Sequence, residues 1–490
     1  MTNTQRTIIK IIFILVILFI GTRSLDAQSN SDYNIQVIKE FKVDKTIGKL
    51  RAVPVELGKD QGRGLLLVYS QDKEIDPYYE MFFYPKHPLV LAMYNSKGKQ
   101  IWKKELNKGM VPGIWFCPVF PFDLNKDGVD EIWLNNTNDS EHPLGMTGYV
   151  LEKLNALTGK SEGQWPWHYP DNNQSNSHFF RNFIFGGYVH GEPVLITAQG
   201  TYGPMYIQAW NTGMKSRWNL FLPKKNTALG SHMSSVVDID GDQSDEFMWG
   251  ERCISMQTGK VVFLADSGVW DGHSDIIQPV LNKSTNRWSI FTCRESYYTD
   301  TMPPRVVLYD DHGNRVWKDI DFGHMDMGWC ANLGENGESY SYALKIGNKV
   351  AGEKGFFRSG MDEFVFKTFT GEKVTMPFSL FNSIPVDFNG DGVHELVCAL
   401  GEQGDRKIYN NLGLVLGDVG KDGIVAMASK FYQLPGEQIL VYYPNGVVKI
   451  FADKNAVDTP AAKQRYESTF YIRNQKLTAV GYNLVNLGGL

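Results

Sequence analysis

Cysteine is scarce in this 490-residue chain, which has only Cys117, Cys253, Cys293, Cys330 and Cys398. Their number is odd and their spacings are wide. That excludes a disulfide scaffold and leaves at least one thiol free, buried or bound to metal. Excess positive charge is also missing: Lys+Arg total 49 against 54 Asp+Glu, a net charge of -5. Nothing therefore drives the whole surface toward nucleic acid. Long runs with a helical period are few, which excludes a helical bundle and offers no coiled coil for an obligate oligomer, so a monomer is expected. Only one stretch is strongly apolar, Ile11 to Ile20, and it is shorter than the about 20 residues that span a bilayer.

That stretch follows Arg6 and Lys10 and precedes Gly21 and a polar segment ending near Ala27. It reads as a secretory signal over 1–27, leaving a mature domain over 28–490 with no membrane partner. Losing three basic residues (Arg6, Lys10, Arg23) and one acidic residue (Asp26) takes the net charge from -5 to -7. No cysteine ends the apolar run, so no lipid anchor is indicated. What the chain has in quantity is glycine, 48 residues, and aromatics, 13%. Many turns and many aromatics favour an all-β fold. The length would fill roughly three or four ordinary domains or one large repeat domain.

A repeat is present. Asp123-Leu-Asn125-Lys-Asp127-Gly-Val-Asp-Glu131, Asp238-Ile-Asp240-Gly-Asp242-Gln-Ser-Asp-Glu246 and Asp387-Phe-Asn389-Gly-Asp391-Gly-Val-His-Glu395 share one spacing, and an apolar strand follows each. Side-chain oxygens at the first, third, fifth and ninth positions, with a carbonyl at the seventh, suit a hard cation such as calcium. The spacing resembles the calcium loop of FG-GAP-type β-propeller repeats, which joins two strands of one blade. An acidic hairpin turn without an ion is the alternative, above all for the second loop, which lacks glycine at its sixth position. Units aligned on the inner strand begin near Leu50, Trp115, His178, His232, His273, His324, Phe381 and Ile424. Many carry a turn such as Ala156-Leu-Thr-Gly159 or Gln257-Thr-Gly259 before an outer strand with tryptophan, as at Trp102, Trp218 and Trp317. The expectation is a single propeller of seven or eight four-stranded blades.

Four units open alike: Ser177-His178, Ser231-His232, Gly272-His273 and Gly323-His324. Inner strands ring the channel, so these imidazoles are expected at one mouth of it, unless histidine merely caps a degenerate strand. The loops predicted on the same face carry His142, Tyr202, Arg252 and Cys293, with Arg181, Asn182, Lys215 and Arg217 next to them. Their concentration on one face suggests a pocket. His232, His273, Asp275 and Cys293 supply two imidazoles, a carboxylate and a thiolate, a tetrahedral set suited to a structural zinc.

These motifs together resemble the propeller polysaccharide lyases. Asp-Gly-His273-Ser-Asp275 is similar to a Gly-His-Gly-Asp segment of rhamnogalacturonan lyases, with Ser274 in place of the second glycine. The run from Tyr188 through Gly200-Thr-Tyr202-Gly to Trp210, with Arg217 downstream, is more like the ulvan lyases of propeller fold, described as seven-bladed. The resemblance covers most of 100–400. It implies β-elimination at a uronate, here of ulvan, with no organic cofactor. An arginine, amide or metal neutralises the carboxylate, a histidine or tyrosine removes the C5 proton, and an acid protonates the departing oxygen. By resemblance Arg217 is the neutraliser and Tyr202 and His142 are base and acid in either order, with His178 completing the set. His168 is an alternative to His178, and Arg181 an alternative to Arg217. Arg181, Asn182, Lys215, Lys224, Lys225 and Arg252 would bind the anionic polymer. A rhamnogalacturonan or other uronate lyase, or a non-catalytic FG-GAP-type binding propeller, are the competing readings. A glycosidase fits less well, because the clustered residues are not a carboxylate pair.

Overall fold

The computed structural model describes residues 32–490 apart from 139–143, 145–147, 168–174, 225–226, 296–303, 321–322, 348, 353–354 and 359. Eight four-stranded antiparallel sheets follow one another along the chain as the blades of a propeller. Their inner strands are Lys49–Glu56, Val119–Phe122, Asn182–Val189, Val236–Val237, His273–Asn282, His324–Asn332, Ile384–Val386 and Ile424–Ser429. Each begins close to the start read from the sequence. The ring is closed by the strand Ile35–Lys42, which pairs with Val447–Asp453 as the outer strand of the eighth blade. The blades therefore number eight, and the last is built from both ends of the described chain.

The repeat pattern has a packing cause. Middle strands such as Glu131–Thr137 are buried throughout, because neighbouring blades cover both their faces. Outer strands such as Ser216–Leu222 alternate between solvent and the next blade. In three blades the outer-strand tryptophan lies across the following blade's last turn. Trp102 donates to the Ala156 carbonyl at 2.6 Å, Trp218 to Met256 at 2.9 Å and Trp317 to Thr368 at 2.7 Å. The Thr-Gly turn is needed there, since a Cβ on Gly159 or Gly259 would sit 2.7 Å from the indole.

Residues 460–490 are not blade strands, contrary to the expectation of a propeller running to the end of the sequence. They plug the channel. Two helices, Pro460–Glu467 and Thr469–Gln475, are capped by the Thr459 and Ser468 side chains. Cations on and just after them meet carboxylates of the ring: Lys476 bonds Asp130 at 2.5 Å and Arg473 bonds Asp245, both in acidic loops, and Arg465 bonds Glu437 of the eighth blade at 2.8 Å. Asp130 and Asp245 hold the eighth position of their repeats. The third repeat has His394 there, 3.1 Å from the Arg465 guanidinium. The chain then climbs past Ala52 and Arg51 to Tyr482, whose N–H donates to the His232 carbonyl, and returns to Gln278 and Asn332. Gly481 (φ +51°) forms the tip, where a side chain would strike the His232 carbonyl; one on Gly488 would strike that of Cys330.

Asn474 ties plug to ring. It accepts from Val236 N–H at 3.1 Å, and it donates to the carbonyls of Val236 and Phe470 at 2.7 and 2.8 Å. Asn474→Ala strands these buried groups and should cost about 3 kcal/mol. Urea denaturation should show a lower midpoint at unchanged slope; an unchanged midpoint would mean that the ring is stable without this tie.

Candidate active site

Antiparallel strands put inner-strand starts and second-strand ends at one mouth, and the acidic loops at the other. At the first mouth the sequence repeats a device. A β-bulge follows Ser274 and another follows Met325, which leaves Asp275 and Asp326 as the extra residues, two positions after His273 and His324. Bulges re-aim side chains. Glu295 is the cross-strand partner of His273. Its carboxylate lies 2.6 Å from His273 Nε2 and 2.7 Å from His324 Nε2. His324 Nε2 also reaches Asp326 at 3.2 Å.

His232, His273, Asp275 and Glu295 bring one ligand atom each within 4.8 Å of one another. His232 Nδ1 and Asp275 Oδ1 are 3.2 Å apart without the alignment of a hydrogen bond. Both Asp275 oxygens and His232 Nδ1 lack hydrogen-bond partners among the described residues. A buried carboxylate left in this way is suited to a cation. Burial, then Glu295 and Asp326, push the Asp275 carboxyl well above its ordinary range. Burial alone would raise Glu295 too, but His273 and His324 hold it well below the usual carboxylate range. Burial, then Arg181 and His273, keep His232 well below the ordinary imidazole value and therefore neutral. Behind the cluster Glu251 accepts from Ser274 Oγ at 2.6 Å and from Arg294 Nε at 3.1 Å. It thereby fixes the neighbours of Asp275 and Glu295.

Tyr202 stands beside these groups, its hydroxyl 2.6 Å from His232 Nε2 and its ring edge-on to His273. Its φ of +77° is an outlier for an aromatic residue. Glycines flank it because His178 packs against this turn, and a Cβ on Gly200 or Gly203 would fall within 2.7 Å of the imidazole. Burial raises the Tyr202 phenol well above its ordinary value, with Arg181 opposing. The buried Arg181 guanidinium lies over the rings of Trp115 (4.9 Å) and Tyr202 (5.2 Å) and donates to Asp76 at 3.1 Å. Its Nε and Nη1 have no hydrogen-bond partner among the described residues. From the plug tip Tyr482, 38% exposed, sets its ring 5.2 Å from that of His232.

Of the residues picked from the sequence, the mouth gathers His232, His273, Asp275, Tyr202 and Arg181, with His178 beneath the Tyr202 turn. Others go elsewhere. Cys293 is not in the four-residue cluster. Its thiol is buried in the apolar core against Gly328 of the next blade, and Glu295 takes the place expected for it. All five cysteines are free and buried. Arg217 lies at the start of the outermost strand of the third blade and Lys215 in the turn just before it, both exposed and at the opposite end from the mouth. The site cannot use Arg217 as a neutraliser, because successive strands of a blade run in opposite directions. Arg252 is buried and spends its guanidinium on the Ala228 carbonyl and on Thr227 at 2.7 Å. Asn182 is buried and accepts from Trp167 at 3.2 Å. His142, His168 and Lys225 lie outside the described residues. Glu295, Asp326, Asp76, Trp115 and Tyr482 were not picked from the sequence. A repeated His-x-Asp spacing marks Asp326, and antiparallel counting from His273 marks Glu295. Nothing local marks the other three.

No family model matches the chain. It is 24% identical over 313 residues to the rhamnogalacturonan exolyase YesX of Bacillus subtilis, covering 54% of this chain and 50% of that protein. It is 24% identical over 224 residues to the rhamnogalacturonan endolyase YesW of the same organism, covering 39% and 36%. The chain thus spans about half, or less, of the length of these relatives. The fold is similar to the crystal structure of YesX (TM-score 0.71, 17% identity, 91% of this chain and 80% of that one). It is equally similar to a rhamnogalacturonan lyase of Bacillus licheniformis (TM-score 0.72, 17% identity, with the same coverage).

If the four-residue cluster holds a divalent cation, Glu295→Gln should weaken binding by at least about tenfold, the loss typical of even an outer-shell partner. Cys293→Ser should leave binding unchanged. Isothermal titration with zinc, calcium and manganese reads both, and the reverse pattern would restore the thiolate to the set.

Proposed function

We propose that this protein is a polysaccharide lyase that cleaves a rhamnose–uronate polymer by β-elimination at the uronate. The observation that carries this reading is Arg181, a buried guanidinium with two unbonded nitrogens beside the Tyr202–His232 pair and a cation-ready carboxylate–imidazole cluster. The likeness to rhamnogalacturonan lyases supports it. Rhamnogalacturonan is therefore the favoured substrate class. Ulvan, expected from the resemblance of the Tyr202 segment, has less support: the basic residues Lys215 and Arg217, available to meet sulfate, are far from the mouth, and the blades number eight.

Elimination removes the C5 proton, forms a C4–C5 double bond and breaks the C4–O bond, whose oxygen leaves with the Tyr202 hydroxyl proton while the Tyr202 oxygen takes up the C5 proton, so that the phenol is restored. Arg181 would pair with the uronate carboxylate through Nε and Nη1, stabilising the charge that builds as C5 loses its proton. Tyr202, kept protonated by burial, is the donor to the leaving oxygen, and His232 at 2.6 Å orients its hydroxyl. A divalent cation held by His232, His273, Asp275 and Glu295 would add charge neutralisation at the same carboxylate. Ultraviolet absorbance of the unsaturated uronate tests the reaction, with rhamnogalacturonan and ulvan run in parallel. Tyr202→Phe and Arg181→Lys should each lower kcat by about a hundredfold or more. Product from neither polymer would move the reading to a binding propeller.

The proposal includes export through the 1–27 signal, which lies outside the described residues, and calcium in the three acidic loops. In each loop the ninth-position glutamate accepts from the second-position amide, at 2.9, 3.1 and 2.8 Å. Burial, and then the neighbouring aspartates, push Glu131 up to about 7 and Glu246 up to about 8. A carboxyl raised by folding stabilises the protein below its unfolded value and loses that contribution as pH rises through the folded one. Calcium-free protein should therefore lose stability as pH rises from 4.5, the ordinary glutamate value, through about 7 to about 8. Calcium should remove the dependence, and melting temperatures with and without chelator measure it.

A further inference from the structure

We propose that the loop over 76–84 is a sugar-binding platform that takes the neutral 6-deoxy sugar next to the reacting uronate; this rests on the lyase reading of the mouth. Tyr79 is 75% exposed, Tyr84 58%, Met81 52% and Phe83 40%. Among the described residues only two other aromatic side chains are more than a third exposed, Phe221 and Tyr482, and Tyr482 is at the mouth. Such a patch on one loop marks a contact surface.

The loop's place decides what it contacts. It joins the second and third strands of the first blade, Arg63–Ser70 and Val90–Tyr94, so it opens on the same face as the mouth. It is continuous with the site, because Asp76 accepts from Arg181 at 3.1 Å and from the Trp115 indole at 3.2 Å. It is also held in shape. Asp72 accepts from the amides of Lys86 and His87 at 2.8 Å, and the Tyr78 carbonyl accepts from Met81 and Phe82 at 2.9 Å. Phe82 turns inward onto Phe116. With that ring as anchor, its neighbours Met81 and Phe83 face outward. The exposed rings are thus presented by a fixed backbone, which lowers the ordering cost of binding.

The chemistry favours one of the polymer's two sugars. A uronate is anionic, and the loop carries Asp76 and Glu80. A 6-deoxy sugar is neutral, and its methyl group and C–H face match an aromatic surface with hydroxyl tips. A polymer bound with its uronate at Arg181 would lay its next sugar on the rim.

Affinity electrophoresis through rhamnogalacturonan in the Tyr202→Phe background reads binding with turnover suppressed, with polygalacturonate as the gel that lacks the 6-deoxy sugar. The double variant Tyr79→Ala/Tyr84→Ala should be retained about tenfold more weakly by rhamnogalacturonan, with KM raised and kcat unchanged. Phe221→Ala, an exposed ring on an outer strand, controls for lost surface. Tyr79→Trp should keep full retention, which separates the loss of a platform from damage to the loop. If no polymer is cleaved but retention falls in the double variant, the platform stands and the lyase reading falls. If cleavage proceeds with retention and KM unchanged, the platform is overturned. An equal loss on polygalacturonate would overturn the sugar assignment, and a change confined to gel-filtration volume would make the patch a self-contact and overturn the proposal.

Discussion

The eight inner strands enclose a channel that cannot be left empty, and the rest of the structure depends on how it is filled. Backbone groups that face the channel need partners wherever water is excluded. Residues 460–490 supply them with side chains that donate and accept at once. Asn474 serves both polar groups of Val236, Thr478 serves Ala52, and Gln278 reaches back from the wall to Asn486. Glycines let the plug run against the wall where a methyl group would collide. The acidic repeats, which carry the cation-type loops, also provide the anions that anchor the plug, so one motif serves blade and channel.

The plug closes one mouth and shapes the floor of the other. Its tip brings Tyr482 up beneath His232, while the bulges in the fifth and sixth blades turn Asp275 and Asp326 toward the same point. Three imidazoles and three carboxylates are then packed together, all but Asp326 largely buried. Such a group is stable only if its charges alternate, as along His273–Glu295–His324, or if a cation joins them. Asp275 is the member that alternation does not satisfy. Arg181 stands apart from this network, spanned by two aromatic rings and held by Asp76, with hydrogen-bonding capacity to spare. A buried guanidinium with unbonded nitrogens beside a cluster that could hold a cation is the basis of the proposed carboxylate site.

Much of the fold was legible in the sequence because a propeller repeats one local solution. Acidic loop, apolar strand, Thr-Gly turn and outer tryptophan recur, and each has a local packing reason. The recurring histidines marked the mouth for the same reason, and His232, His273 and Asp275 pointed to the cluster that could hold a cation. The errors have physical causes. Arg217 is close in sequence to Tyr202 but begins an outer strand, and reversal of strand direction carries it to the far end of the blade. Cys293 and Glu295 are two apart on one strand. The register of the hairpin sets Glu295 opposite His273, while Cys293 pairs with Ile276 beyond the bulge at Asp275.

The amino-acid sequence by itself determined the all-β class, the blade repeat and the set of groups able to do chemistry, since these follow from short-range spacing and composition. The tertiary structure alone decided the count of eight, the fate of residues 460–490, and the gathering of Glu295 and Arg181 at the mouth while Cys293 and Arg217 lie elsewhere. Those outcomes turn on ring closure, channel filling and strand register. Each of these is set by contacts between residues far apart in the chain, and no local pattern encodes them.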